Sequence, residues 1–246
     1  MLLERSMHPE WMSNTYLLAD PKSSEAALVD AGGPVAPLLE VISREGLTLT
    51  QVLVTHRHFD HIAELETVVQ AYPEVKILAH PLEQQFISEK AEAIGPGEVL
   101  FVGDLSIEAM HTPGHTNGML SFYVGGSGVF TGDTLFRESV GGLGASGHTT
   151  FTDLKDSIMK RLMKLPPETT IYPGHTEFTT VAHEYEHNPF IRLWRGLDQP
   201  DEKPCRVLEQ PATLILLATD YDGGKKAWIQ WEDGSDDIVP GSAVQL

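Results

Sequence analysis

The eight residues Thr55–Ile62, THRHFDHI, constrain this chain more than any other stretch. His56, His58, Asp60 and His61 fall within six positions. The run before them, LTQVLV, is short, apolar and β-branched, as a buried strand is. The run after them, IAELETVVQAY, carries apolar groups at helical spacing. The cluster is therefore expected on a strand-to-helix loop at the carboxyl end of a strand, where open α/β sheets place ligand sites. His56 and His58 are two apart, so in extended backbone they share a face and can share one divalent cation. Asp60 and His61 fall around the turn and can face a second. Imidazole and carboxylate suit Zn²⁺, Fe²⁺ or Mn²⁺. Four potential ligands directly after a buried strand argue against a polar loop that happens to be rich in histidine.

THRHFDHI resembles the HxHxDH signature of the metallo-β-lactamase-fold hydrolases. The rest of that family's pattern follows in order, each member just after an apolar run: His115 in TPGHT, Asp133 in TGDTLF and His175 in YPGHT. The resemblance covers roughly residues 12–195. Within the family, TTVAHEYEHNPFIR is similar to the corresponding stretch of glyoxalase II-like (hydroxyacylglutathione hydrolase-like) enzymes. It implies an α/β chain folded as an αβ/βα four-layer sandwich. It also implies one cation held by His56, His58 and His115, another held by Asp60, His61 and His175, and Asp133 bridging the two. Asp60 and Asp133 are the catalytic candidates, Asp60 by orienting the attacking water. The implied reaction is hydrolysis of a thioester by water activated between two divalent ions, Zn first, with Fe or Mn as alternatives. The alternative is a mononuclear Fe(II) persulfide dioxygenase of the same fold, with the iron on His56, His115 and Asp133. The core motif does not separate the two. The chain departs from glutathione-specific members. Those members carry a helical carboxyl-terminal domain and a clamp loop with Tyr and Lys, whereas here the loop reads GGLGASGH and the tail has no basic helix.

Charge narrows the partners. Thirty-five acidic against 17 basic residues give a net charge of −18. Such a surface repels phosphate backbones, which disfavours the nuclease branches of the family and any nucleic-acid partner. It also disfavours a polyanionic thiol substrate unless a local basic patch exists. One cysteine, Cys205, excludes an intramolecular disulfide framework. The segment MLLERSMHPE has charges where a signal peptide needs an apolar core, and no apolar run approaches a membrane span. A cytoplasmic enzyme acting on a small molecule is expected.

Along the chain, 14–20 and 26–30 read as paired strands, with Asp30 at the end of the second. That aspartate is either a turn residue or a support for the metal loop. A helix is expected over 34–45, and strands at 50–54 and 75–79. His80 reads as a capping residue before a helix running to about Ala93. Strands follow at 98–102 and 105–110, ended by His111, and then at 119–124 and 128–130. RESVGGLGASGHTT, 137–150, reads as a flexible loop bordering the substrate entrance, with His148 solvated. A helix over 153–165 and a strand at 169–172 precede the second PGHT. His183 and His187 in HEYEH match the HExxH zinc string, which is discounted because a full ligand set exists elsewhere. Arg192 and Arg195 are candidate anion contacts. Residues 1–195 thus read as the catalytic domain and 196–204 as a linker. Residues 205–246 contain only strands and read as a small β-barrel-like module resembling Tudor strands. Trp228 and Trp231, three apart, point to opposite faces of one strand, one into the core and one into an interface. That interface is with the main domain or with a second copy in a homodimer.

Overall fold

The computed structural model describes residues 1–246. Two six-stranded sheets face each other. The first runs in the order β1 (Leu2–Met7), β2 (Asn14–Ala19), β3 (Glu25–Val29), β4 (Thr48–Leu53), β5 (Lys76–Ala79) and β6 (Ala91–Ala93). It is antiparallel through β3 and parallel beyond. The second holds β7 (Val99–Val102), β8 (Leu105–His111), β9 (Leu120–Val124), β10 (Gly128–Gly132), β13 (Thr170–Pro173) and β14 (Thr179–Thr180), with β10 and β13 parallel.

The central strands β2, β3 and β10 are buried at nearly every position because both of their faces are covered, whereas the outer strands β1, β7 and β8 carry exposed residues. Along β2, Leu17 and Ala19 enter one core and Tyr16 and Leu18 the other; β3 repeats this with Ala26 and Leu28 against Ala27 and Val29. The first core is closed by helices α1 (Ala36–Arg44) and α3 (Leu65–Ala71) through Leu38, Ile42, Leu65 and Val68. The second lies between the sheets, where Phe122, Phe130 and Tyr172 meet Tyr16 and Leu53. On the far side of the second sheet, Val129 and Ile171 pack against α5 (Phe151–Asp156), α6 (Val181–His187) and α7 (Pro189–Trp194). Helix, sheet, sheet and helix make the expected four layers.

Residues 203–245 form a five-stranded antiparallel sheet of β15 (Lys203–Val207), β16 (Gln210–Thr219), β17 (Lys225–Trp231), β18 (Asp236–Pro240) and β19 (Val244–Gln245). A bulge in β16 between Leu214 and Leu216 changes the face that alternate residues present. Ala212 and Leu214 fill the module's own core, while Leu216 and Ala218 join the core under α5–α7. The tryptophans divide as their spacing predicts. Trp228 packs on Phe151 at 4.9 Å between ring centres, whereas Trp231 lies against the module core. The partner across Trp228 is the main domain.

Three local expectations need correction. The helix read as 81–93 is α4 (Pro81–Ile87), and Ala91–Ala93 is instead the edge strand β6. Pairing of Ile77–Ala79 with Ala91–Ala93 overrides the helical preference of the AEA run. The helix read as 153–165 begins at Phe151, capped reciprocally by Thr150 and Asp153. From Ser157 it widens into a π turn and then tightens into a 3₁₀ turn ending at Lys164. Residues 137–150 are not loop throughout: β12 (Ser139–Val140) pairs with β11 (Leu135–Phe136), and Val140 and Leu143 are buried. β1 and β19 were not foreseen.

Candidate metal centre

All the strand ends that matter open on one edge of the sandwich. Asp30 follows β3, the THRHFDHI loop follows β4, and His115 lies between β8 and β9. Asp133 follows β10 and His175 follows β13. The short helix α2 (Phe59–Ile62) turns His61 inward, where it is fully buried. Sequence positions 56 to 175 therefore converge without any long loop reaching across the molecule.

Nitrogen and oxygen atoms of His56, His58 and His115 lie within 4.8 Å of one another; so do those of Asp60, His61 and His175, and those of His56, His61 and Asp133. Asp133 stands between the two histidine groups. Its Oδ1 is 3.2 Å from His61 Nε2, and its Oδ2 is 3.5 Å from His115 Nε2 and 3.3 Å from His175 Nε2. Asp60 Oδ2 is 3.4 Å from His175 Nε2. The buried atoms His56 Nε2, His61 Nε2 and Asp133 Oδ1 have no hydrogen-bond partner. Buried polar atoms without partners are costly. Orphaned imidazole nitrogens and a carboxylate oxygen aimed at one another fit divalent cations. The glycine in the second PGHT completes the cradle. A Cβ at Gly174 would collide with Asp133 Oδ1 and sit 2.8 Å from His61 Cε1.

The opposite nitrogen of each ring is held, as ligating histidines require. His61 Nδ1 donates to Asp30 Oδ2 at 2.8 Å, His115 Nδ1 to the Gly142 carbonyl at 2.8 Å and His175 Nδ1 to the Trp11 carbonyl at 2.9 Å. His58 is reversed. Its Nε2 donates to the Ser146 carbonyl at 3.0 Å, leaving Nδ1 facing His115 Nε2 at 2.9 Å. His56 Nδ1 meets Thr55 Oγ1 at 3.0 Å. Because carbonyls and a carboxylate only accept, these contacts fix which nitrogen of four rings carries the proton. Asp30 has the supporting role. Its Oδ1 accepts from the Thr55 amide at 2.7 Å and its Oδ2 from the Thr55 hydroxyl at 2.8 Å.

The electrostatics follow from burial and from the carboxylates. Burial pushes His56 well below its ordinary pKa, reinforced by the neighbouring His61 ring, and pushes His115 down to about 4. Burial alone would raise Asp133, but the His175 and His61 rings hold it well below the carboxylate range. Burial would likewise lower His61, but Asp133 and Asp30 drive it well above. His56 and His115, neutral beside the ionised Asp133, are in the states that ligate a cation, whereas His61 gives up its Nε2 proton when a cation binds.

The remaining histidines and arginines stay away from this centre. His80 caps α4, its Nδ1 accepting from the Leu82 amide, and its ring stacks on His111 at 4.7 Å. The HEYEH string is structural. Glu184 is fully buried and accepts from Thr179 Oγ1, Asn188 Nδ2 and the Glu138 amide, while His183 pairs with Glu138 at 2.9 Å. Arg192 is bound to Asp198, and Arg195 lies over the Tyr185 ring beside Glu186. His148 is exposed on its loop. Sequence reasoning missed the backbone carbonyls of Trp11, Gly142 and Ser146, which no residue type announces. It also missed Tyr221 and Lys226, which come from the β module.

Residues 8–175 match the metallo-beta-lactamase superfamily, and the chain belongs to that superfamily. It is similar to a hydroxyacylglutathione hydrolase from Rhodopseudomonas palustris, 37% identical over 218 residues, covering 83% of this chain and 82% of that protein. Among solved structures it is similar to ETHE1 from Myxococcus xanthus. The TM-score is 0.69 at 29% identity, over 82% of this chain and 93% of that one. A protein solved in a di-iron-bound form gives 0.64 at 31% identity, over 75% and 98%. No helix is long and apolar enough to cross a membrane.

Proposed function

We propose that this protein hydrolyses a thioester with the aid of two divalent metal ions. His56, His58 and His115 would hold one ion and Asp60, His61 and His175 the other, with Asp133 between the two triads. The single observation that carries this reading is the second complete triad, Asp60–His61–His175, beside the first. When bound, two such ions lower the pKa of a water between them and polarise the carbonyl under attack. The chain's own residues do the rest. Asp30 and the carbonyls of Gly142, Ser146 and Trp11 hold the opposite nitrogens of His61, His115, His58 and His175, so that the ligating nitrogens aim inward. Asp60 is only partly buried and accepts a proton or orients a water at its free oxygen. A thioester suits this inventory because a thiolate leaves without full protonation, so no strong general acid is needed. The chain's lone cysteine, Cys205, is buried in the module core and takes no part.

The likeness to the hydroxyacylglutathione hydrolase supports this reading; zinc is the first candidate metal because imidazole and carboxylate ligands suit it. The likeness to ETHE1 is consistent with the alternative, an Fe(II) dioxygenase using His56, His115 and Asp133. The test is to load metal-stripped protein with Zn²⁺, Mn²⁺ or Fe²⁺ separately. Each preparation is then assayed for thiol release from thioesters and for O₂ uptake with a persulfide. Thiol release with two equivalents of metal supports the hydrolase. O₂ uptake with one equivalent of iron and no thiol release supports the dioxygenase.

A further inference from the structure

The cavity over the metal centre, about 550 Å³, is closed on one side by the β module. His115 and Asp133 stand on its catalytic side, and Leu208, Tyr221, Lys226, Pro240 and Ala243 come from the module. The Tyr221 ring stacks on His175 at 4.5 Å and 21° between planes, and it packs on Phe136 at 4.5 Å. Lys226 Nζ lies 5.1 Å from the Phe136 ring centre and 5.2 Å from that of Tyr221. Only 6% of this lysine is exposed. Two of its three donors are engaged, one by the Val140 carbonyl at 2.7 Å and one by Asp220 at 3.1 Å. Burial lowers its pKa, with Asp220 acting against that. The loop thought to lack a Tyr and a Lys therefore faces one of each, delivered by a different part of the chain.

We propose that the β module is the substrate-selecting wall of this enzyme, admitting a compact thioester whose arm is largely apolar and whose single acceptor oxygen is held by Tyr221 and Lys226. The inference rests on the thioester reading and specifies its substrate class. The lining sets the chemistry. Phe136, Ala145, Leu208, Ile238, Pro240 and Ala243 give an apolar surface, and removing apolar substrate area from water is what such a surface rewards. Lys226 is the one cationic side chain among the lining residues, and Asp220 already neutralises it. A thiol carrying two carboxylates finds no second cation there, since Arg192 and Arg195 are committed elsewhere. A neutral amide or carbonyl oxygen on the arm matches the remaining N–H of Lys226 and the Tyr221 hydroxyl.

Full-length, metal-loaded protein is assayed on acetyl, butyryl and hexanoyl thioesters of N-acetylcysteamine and on lactoylglutathione. Binding of the hydrolysis-inert thioether S-hexyl-N-acetylcysteamine is followed by calorimetry. The butyryl ester should exceed lactoylglutathione in kcat/KM by about tenfold, and the reverse order overturns the substrate class. Ala243→Phe narrows the wall and should lower the hexanoyl-to-acetyl ratio of kcat/KM, and the thioether affinity, by about tenfold. Leu208→Trp, at an exposed rim position that cannot unfold the core, should shift the ratio the same way. Tyr221→Phe and Lys226→Met should raise KM by about fivefold, with the smaller part of the loss in kcat. Metal content should stay unchanged in all four. An unaltered chain-length ratio in both wall variants overturns the proposal while leaving thioester hydrolysis standing. Thioether binding without cleavage of any ester rejects the thioester reading instead.

Discussion

Replacing Asp30 by Asn tests how the metal loop is held without touching a candidate ligand. Asp30 is 2% exposed and sits at φ +58°, a conformation asparagine tolerates, so the backbone has no reason to move. Its carboxylate accepts three hydrogen bonds, from the Thr55 amide, the Thr55 hydroxyl and His61 Nδ1. Asparagine can still accept from the Thr55 amide, and the Thr55 hydroxyl can rotate to accept from the new NH₂. His61 has no such freedom, because its Nδ1–H would face an N–H. To relieve this the imidazole must move its proton to Nε2, the atom aimed at the metal site. Hydrogen bonds to charged groups contribute about 1.5–3 kcal/mol each. Losing one or two of them should cost about 2–4 kcal/mol in denaturant unfolding of the metal-free protein. Wrong protonation of the ligand should weaken metal affinity by about 10–100-fold, the range for disrupted supporting contacts. Competition with a chromophoric chelator measures the affinity. Metal binding within twofold of wild type would show that Asp30 does not set the His61 tautomer, and the account of the site would fail at that point.

Other perturbations give distinct outcomes. Asp133→Ala and His115→Ala should each abolish thioester cleavage while the circular dichroism spectrum persists; full activity in either would remove it from the site. Gly174→Ala should fold but bind fewer metal ions, since its methyl occupies the space of Asp133 Oδ1; elemental analysis reads this. Trp228→Ala should cost about 3 kcal/mol by losing its packing on Phe151 and Trp194, whereas a loosely tethered module would cost far less. Glu184 has a pKa raised by burial, against the hydrogen bonds from Thr179 and Asn188. The folded state thus holds this proton more tightly than the unfolded chain does, and stability falls as pH rises from 4.5 through the raised value. The stability advantage of wild type over Glu184→Gln should therefore shrink across that window in urea titrations.

The parts of the site carried by residue identity were legible. THRHFDHI declares itself because four ligand types crowd the end of one apolar strand, and His115, Asp133 and His175 each follow another such strand. β10 is buried along its whole length and β4 and β13 at their carboxyl ends, so the points where these strands stop are easy to place, whereas β8 alternates buried and exposed residues. Groups supplied by the backbone were not legible. The carbonyls of Gly142 and Ser146 hold His115 and His58 from a glycine-rich stretch that reads as a loop. Nor does the sequence show where a module docks. Tyr221 and Lys226 reach the cavity because the bulge in β16 turns Leu216 and Ala218 into the core under α5–α7. The HEYEH string misleads in the other direction. Its glutamate is the buried hub of three hydrogen bonds, and only the packing of α6 reveals that.

Counting metal ions in protein purified without chelators bears most directly on the paired-ion centre. Close to two per chain are expected, falling to about one in Asp60→Ala as thiol release is lost. A wild-type preparation that saturates at a single ion, or takes up none while fully folded, would contradict it.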